Sequence, residues 1–281
     1  MTAVNPTPVA AVRVPAAGLR HQVRGAAVVW QREMIRFGRD RSRIVSSLVQ
    51  PVLFLFVLGT GLSSLIASNG DVDFRTFLFP GVLATSVLFT AAFSGISMVW
   101  DREFGFLREM LVAPVSTTAI LTGKCLGGAT VATLQSLIIL ALAALVGVPY
   151  NLVMMVKLVG LLFLMAFMIC ALGLFLSARV KQVQSAMPLV QLTITPLMFL
   201  SGSLFPLSNL PGWLHVATTV NPMTYAVEPI RSTVFDHLDL SAAARATFDP
   251  GITWGGWQVP VPLQVAIVAA TCLILLGLAV A

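Results

Sequence analysis

Six apolar runs dominate this chain, and each is long enough to cross a bilayer as a helix. A helix needs about 20 residues to span the hydrocarbon core, with a range of about 17–25. Residues 44–66, 77–99, 119–148, 152–178, 183–205 and 261–281 meet that requirement. In lipid the backbone must satisfy its own hydrogen bonds, which selects helices for segments of this kind. Composition supports the same reading: 57% of residues are hydrophobic, 10% are charged and the mean hydropathy is +0.92. A soluble domain carries about 25% charge. The expected fold class is an all-α polytopic membrane protein with six transmembrane helices. The fifth run is the least clean, because Gln184, Gln191, Thr193, Thr195 and Pro196 interrupt it.

The net charge of +6 matters less than its placement, since eight of the 17 Lys and Arg precede Ile44. That distribution suits a membrane surface and not nucleic acid. With the N-terminus inside, the segments 1–43, 100–118 and 179–182 carry most of the cations, as the positive-inside rule requires. Both termini are then cytoplasmic, and the last run reaches Ala281, so no C-terminal soluble domain is expected. Residues 1–18 are rich in Pro, Ala and Val and read as a disordered tail. Residues 19–43 read as an interfacial amphipathic helix leading into the 44–281 membrane domain. Leu19, Val23, Ala26, Trp30, Met34 and Phe37 share one face of it. Trp30 is expected at headgroup depth, with the arginines toward phosphates.

The runs lack deep acids and histidines, which argues against an ion-coupled pump. Cys125, Cys170 and Cys272 lie within apolar runs and read as small hydrophobes, so no metal site or disulfide framework is expected. "LTGKCLGG" fails as a phosphate-binding loop: Thr118 stands in place of the first Gly and Cys125 in place of the hydroxyl. Lys124 is expected to snorkel to the inner surface. Gln50, Thr60, Gln191 and Thr195 are neutral polar groups within the spans, suited to holding helices together or lining a passage.

One segment interrupts the apolar pattern. "WDREFGFLREMLVAP" places five charges between Asp101 and Glu109. On a helical wheel Asp101, Arg102, Arg108 and Glu109 gather on one side, and Phe104, Phe106, Leu107, Met110 and Leu111 on the other. Pro114 closes the helix. No opposite charges stand three or four apart, so these side chains are expected to remain free for a partner. Glu103 falls among the apolar residues and must reach water or a partner there. A helix of this kind docks into a cleft on another subunit, or else lies on lipid headgroups.

"DREFGFLREMLVAPVSTTAILTGK" resembles the cytoplasmic loop of type-2 ABC exporter permeases, especially the daunorubicin-resistance group. Arg102, Glu103, Gly105, Leu111, Pro114, Ile120, Leu121, Gly123 and Lys124 match that family's pattern, while Phe106 replaces its usual Thr. A second stretch, "LPGWLHVATTVNPMTYAVEPIRSTVF", is similar to the family's outer motif through Trp213, Asn221, Pro222, Tyr225, Glu228 and Arg231. Pro229 after Glu228 departs from it. The resemblance covers about residues 20–281.

It implies a non-catalytic permease subunit of an ATP-driven exporter in a bacterial inner membrane, working as a dimer with itself or a paralogue. Two ATP-binding subunits would hold the ATP and Mg, with no cofactor bound by this chain. Residues 101–113 would be the coupling helix, with Asp101 to Met110 at the contact. Residues 206–235 would be an outer re-entrant pair, and the first, second and fifth spans would line the path. The cargo suited to such a path is a hydrophobic or amphipathic drug or lipid. A carrier or channel without an ATPase partner, or a polytopic membrane enzyme using outer residues such as His215, His237 and Asp236, is the alternative.

Overall fold

The computed structural model of the chain describes residues 18–61, 74–106, 110, 115–205, 207, 210–238 and 251–280. The expected tail over residues 1–17 lies outside the described residues, as do Leu107, Arg108 and Glu109. The described chain is helical almost throughout. Its only sheet is a two-stranded antiparallel hairpin, Thr253–Trp254 with Trp257–Gln258.

Among the described residues ten α-helices follow in order: α1 (Leu19–Arg39), α2 (Arg41–Leu53), α3 (Phe74–Gly95), α4 (Ser97–Glu103), α5 (Thr117–Leu140), α6 (Leu152–Ser177), α7 (Val183–Phe199), α8 (Gly212–Val220), α9 (Pro222–Phe235) and α10 (Val261–Val280). After Pro51, which cannot donate within its helix, the first span widens into a π-helical turn over Phe54–Leu58. Among the described residues, five helical segments are long and apolar enough to cross a membrane: Ile44–Gly61, Phe74–Glu103, Thr117–Leu140, Leu152–Ser177 and Val261–Val280. The expected fifth span forms a shorter helix, α7, of 17 residues. At 1.5 Å per residue it is about 26 Å long, the lower limit for crossing. The chain leaves the helix at Leu200 and turns at Gly202, whose φ of 73° is left-handed.

The helices α3, α5 and α6 form the centre of the bundle, with the first and last spans on its flanks. In the most apolar window of α3 and of α5, 72% of residues are buried, against 17% in the first and last spans. Small residues let the central helices meet. A Cβ on Gly95 would stand 2.6 Å from the backbone of Gly173, so α3 and α6 touch through backbone alone. A Cβ on Gly81 would fall 1.7 Å from the Ser203 carbonyl oxygen, fixing the loop after α7 against α3.

The N-terminal helix leans along α5 through Gln22, Gly25, Ala26, Val29 and Glu33, and Leu19, Val23 and Trp30 of its apolar stripe stay exposed. Gly123 and Gly127 of α5 make the room: a Cβ on Gly123 would stand 2.6 Å from the Ala26 carbonyl oxygen, and one on Gly127 would stand 2.8 Å from the Glu33 Cβ. Trp30 donates its indole N–H to Thr130 at 3.1 Å.

Candidate functional site: a charge-mounted loop and an inner cavity

Where α4 ends, the expected continuous helix over 101–112 does not form. Helix α4 stops at Glu103, and Gly105 takes a left-handed φ of 82°, a conformation that favours glycine. Phe106 and Met110 are helical again beyond that turn.

The described charges on this segment, Asp101, Arg102 and Glu103, are also not free. Asp101 is buried and accepts from Arg32 of α1 at 2.7 Å. It forms a second ion pair with Lys124 of α5. Lys124 is itself buried, and it donates to Ser97 at 3.1 Å and lies 3.6 Å from Glu33. The expectation that Lys124 snorkels to the surface is therefore overturned. Gly123 and Gly127 draw α1 over it, and carboxylates on two other helices supply what water would have. Burying a charge alone is costly, and pairing meets that cost here.

Arg102 donates to the Val180 carbonyl at 2.7 Å, and Glu103 accepts from the Val183 N–H at 2.8 Å. Both bonds tie α4 to the start of α7, and Glu103 stands in for the missing side-chain cap at Gln182. Glu103 also remains exposed, so its place among apolar residues is resolved by a partner and by water together. The expectation of unpaired charges held within the helix, where no pairs form, and failed between helices.

The aromatic residues are what the segment presents outward. Phe104 is 61% exposed and Phe106 49%. The Trp100 and Phe104 rings stack at 5.6 Å. Arg32 lies over the Phe106 ring at 5.8 Å and donates to the Met110 sulfur at 3.4 Å, so one side chain ties the loop to the ion cluster.

Of the four expected path residues, Gln50 lines a cavity. That cavity has a volume of about 630 Å³ and lies between α1, the first span, α3, α4 and α7. Thr60 bonds back to the Phe56 and Val57 carbonyls of its own helix. Gln191 donates to Thr195 at 3.0 Å along one face of α7, away from the cavity. The structure does not bring the four together. Sequence reasoning missed Ser86, Thr90, Ser94 and Ser97, which line the cavity at helical spacing along α3 and α4. The spacing 4, 4, 3 was the available signal.

At the opposite end, Asn221 caps α9 as its sequence predicts: its side chain accepts from the Met223 N–H at 3.0 Å, and Pro222 takes the first helical position. The Asn221 amide also donates to the Leu197 carbonyl at 2.9 Å, linking the cap to α7. Trp213 is 73% exposed on α8. Tyr225 donates to the Thr219 carbonyl at 2.7 Å and accepts from Trp254 at 2.8 Å. Burial raises its phenol above the usual range, against that donated bond. Glu228 and Arg231 are both buried, because α9 inserts against α3, α6 and α10. Arg231 donates to the Gly202 carbonyl and lies over the Phe77 ring at 5.0 Å.

A bundle of membrane-spanning helices, with a charge-paired helix end on one side and the α8–α9 pair, α9 buried, on the other, is the architecture of a multi-pass membrane protein. The chain belongs to the ABC-2 type transporter family, whose model matches residues 25–235. It is a permease subunit of that type. The Ycf38 protein of Cyanophora paradoxa, which carries the name of a transport permease, is 27% identical over 210 residues, covering 73% of this chain and 72% of that protein. Nodulation protein J of Rhizobium leguminosarum bv. viciae is 28% identical over 229 residues, covering 79% of this chain and 84% of its own. Its counterpart from bv. trifolii is 29% identical over 217 residues, covering 74% and 80%.

Proposed function

We propose that this chain is the membrane half of an ATP-driven exporter for a hydrophobic or amphipathic molecule, with hydrolysis carried out on a separate ATP-binding subunit. The observation that carries this reading is the loop after α4. The charges at the end of α4 that lead into it are tied to the helical body, and Phe104 and Phe106 within it are exposed. A loop built this way offers an apolar tip to a cleft and transmits force through a stiff mount. Two ATP-binding subunits would grip two such loops, one on each copy of the permease or on a paralogue, and would hold the ATP and Mg. The chain itself would supply no catalytic group and bind no cofactor. The Arg-rich end, with α1 and the loop, would face the cytoplasm of a bacterial cell, with both termini on that side of the inner membrane.

The test separates docking from folding. Phe104→Asp alters an exposed ring whose described ring contact is Trp100. It should leave membrane insertion intact and lower cargo-stimulated ATP hydrolysis of the assembled complex by tenfold or more. Glu109→Arg should do the same. Glu103→Ala should also lower it, with an added loss of stability because Glu103 caps α7. Unchanged ATPase activity and assembly in Phe104→Asp and Glu109→Arg would refute the coupling role.

A further inference from the structure

The cavity beside α3 has two buried polar atoms without hydrogen-bond partners, one near each end. Gln135 of α5 is 3% exposed, lines the cavity, and its amide nitrogen has no acceptor. Glu33 of α1 is 7% exposed, and its Oε1 has no donor within hydrogen-bond distance. Lys124 lies 3.6 Å from that oxygen but is given over to Asp101 and Ser97. Buried polar atoms are nearly always satisfied, and each exception calls for a reason. A missing ligand that supplies an acceptor to one and a donor to the other satisfies both at once.

The separation of the two ends follows from helix geometry. Glu33 packs on Gly127 of α5, and Gln135 is eight residues further along that helix. At 1.5 Å per residue the two sites are about 12 Å apart. The lining also brings the rings of Phe89, Phe93 and Trp100 and the hydroxyls of Ser86, Thr90, Ser94 and Ser97. A volume of about 630 Å³ is within the common range for small-molecule sites, about 300–1,000 Å³.

Charge at the mouth narrows the class. The charged residues that line the cavity are Glu33, Arg36 and Asp40, and Lys124 stands 3.6 Å from the Glu33 Oε1, so two acids meet two bases there. A net-charged headgroup gains nothing there that its lost hydration would not cancel. An uncharged donor, a hydroxyl, fits better.

We infer that this cavity binds an elongated, uncharged amphiphile that donates a hydroxyl to Glu33 and, about 12 Å deeper, offers an acceptor oxygen to Gln135. The inference deepens the export reading by naming a class of cargo, and it is tested by binding to the full chain alone, without an ATPase partner. Failure of binding leaves the coupling role standing, and failure of coupling leaves the site standing.

Three probes of equal chain length decide it: a linear ω-hydroxy ester with hydroxyl and carbonyl about 12 Å apart, the matching alkanol, and the matching alkyl ester. Binding is measured on the purified chain in lipid nanodiscs. The hydroxy ester should bind about tenfold more tightly than either single-function probe, one good buried hydrogen bond's worth. Gln135→Met should reduce it to the alkanol's affinity while the alkanol itself binds as before. That unchanged alkanol binding also reports that the variant is folded. If Gln135→Met loses every probe, Gln135→Asn decides, because it keeps the amide but withdraws it: the advantage of the ester oxygen should fall. Equal affinity for all three probes, or an advantage that neither Gln135 variant changes, would overturn the inference.

Discussion

Asp101→Asn is the sharpest test of the buried ion cluster. The substitution keeps volume and removes one charge. Asp101 is 2% exposed and has two cationic partners, and Lys124 is equally buried. After the change, Lys124 retains Ser97 at 3.1 Å and Glu33 at 3.6 Å, while Arg32, at 38% exposure, turns to water. Breaking a buried pair by removing one partner costs about 3–5 kcal/mol. Glu33 stays beside Lys124, so the loss is expected at the low end, about 3 kcal/mol.

Arg32→Gln removes a cation that is more than a third exposed, and surface pairs contribute about 0–1 kcal/mol. The order of effects is therefore Asp101→Asn well above Arg32→Gln. The double variant Asp101→Asn with Lys124→Met removes both buried charges and should recover most of the loss. Thermal unfolding of the purified chain in one fixed detergent reads all three. At about 2–4 °C per kcal/mol, Asp101→Asn should lower the midpoint by about 6–12 °C and Arg32→Gln by no more than about 4 °C. If Arg32→Gln costs as much as Asp101→Asn, or if the double variant is worse than the single, the cluster is not the buried anchor described here.

Other outcomes follow from single close contacts. Gly81→Ala should prevent a stable fold, because its Cβ meets the Ser203 carbonyl at 1.7 Å, whereas Gly160→Ala meets nothing and should be neutral or slightly stabilising; expression and unfolding midpoints compare the two. Gly123→Val should detach α1 from α5 by crowding Ala26 and Val29, at a cost of about 1–3 kcal/mol, seen as faster proteolysis within α1. Asn221→Ala removes both the α9 cap and the bond to Leu197, and should lower stability by about 1–2 kcal/mol in the same unfolding assay.

What could be read from the chain, and what could not, divides by distance along it. The spans, the Asn221 cap and the interruption of apolar sequence at Asp101 are local: each is decided by composition or by neighbours within one helical turn. Lys124 shows the opposite case. In sequence it is a lone cation at the start of an apolar run, and snorkelling is the economical reading. Its partners Asp101 and Glu33 come from two other helices. Only Gly123 and Gly127 on the same helix bring α1 within reach of it. Arg231 and Glu228 are a second case. A wheel drawn for α9 shows one apolar side, yet α3, α6 and α10 surround it. A helical wheel records which residues share a side, and only tertiary packing decides how many sides are buried. The charge pattern of 101–109 was read as open to a partner because no pair forms within the helix. For Asp101, Arg102 and Glu103 the partners stand on α1, on α5 and at the start of α7 instead, and beyond them Phe104 and Phe106 are exposed. The docking reading thus rests on Phe104 and Phe106, not on the charges that first set the segment apart.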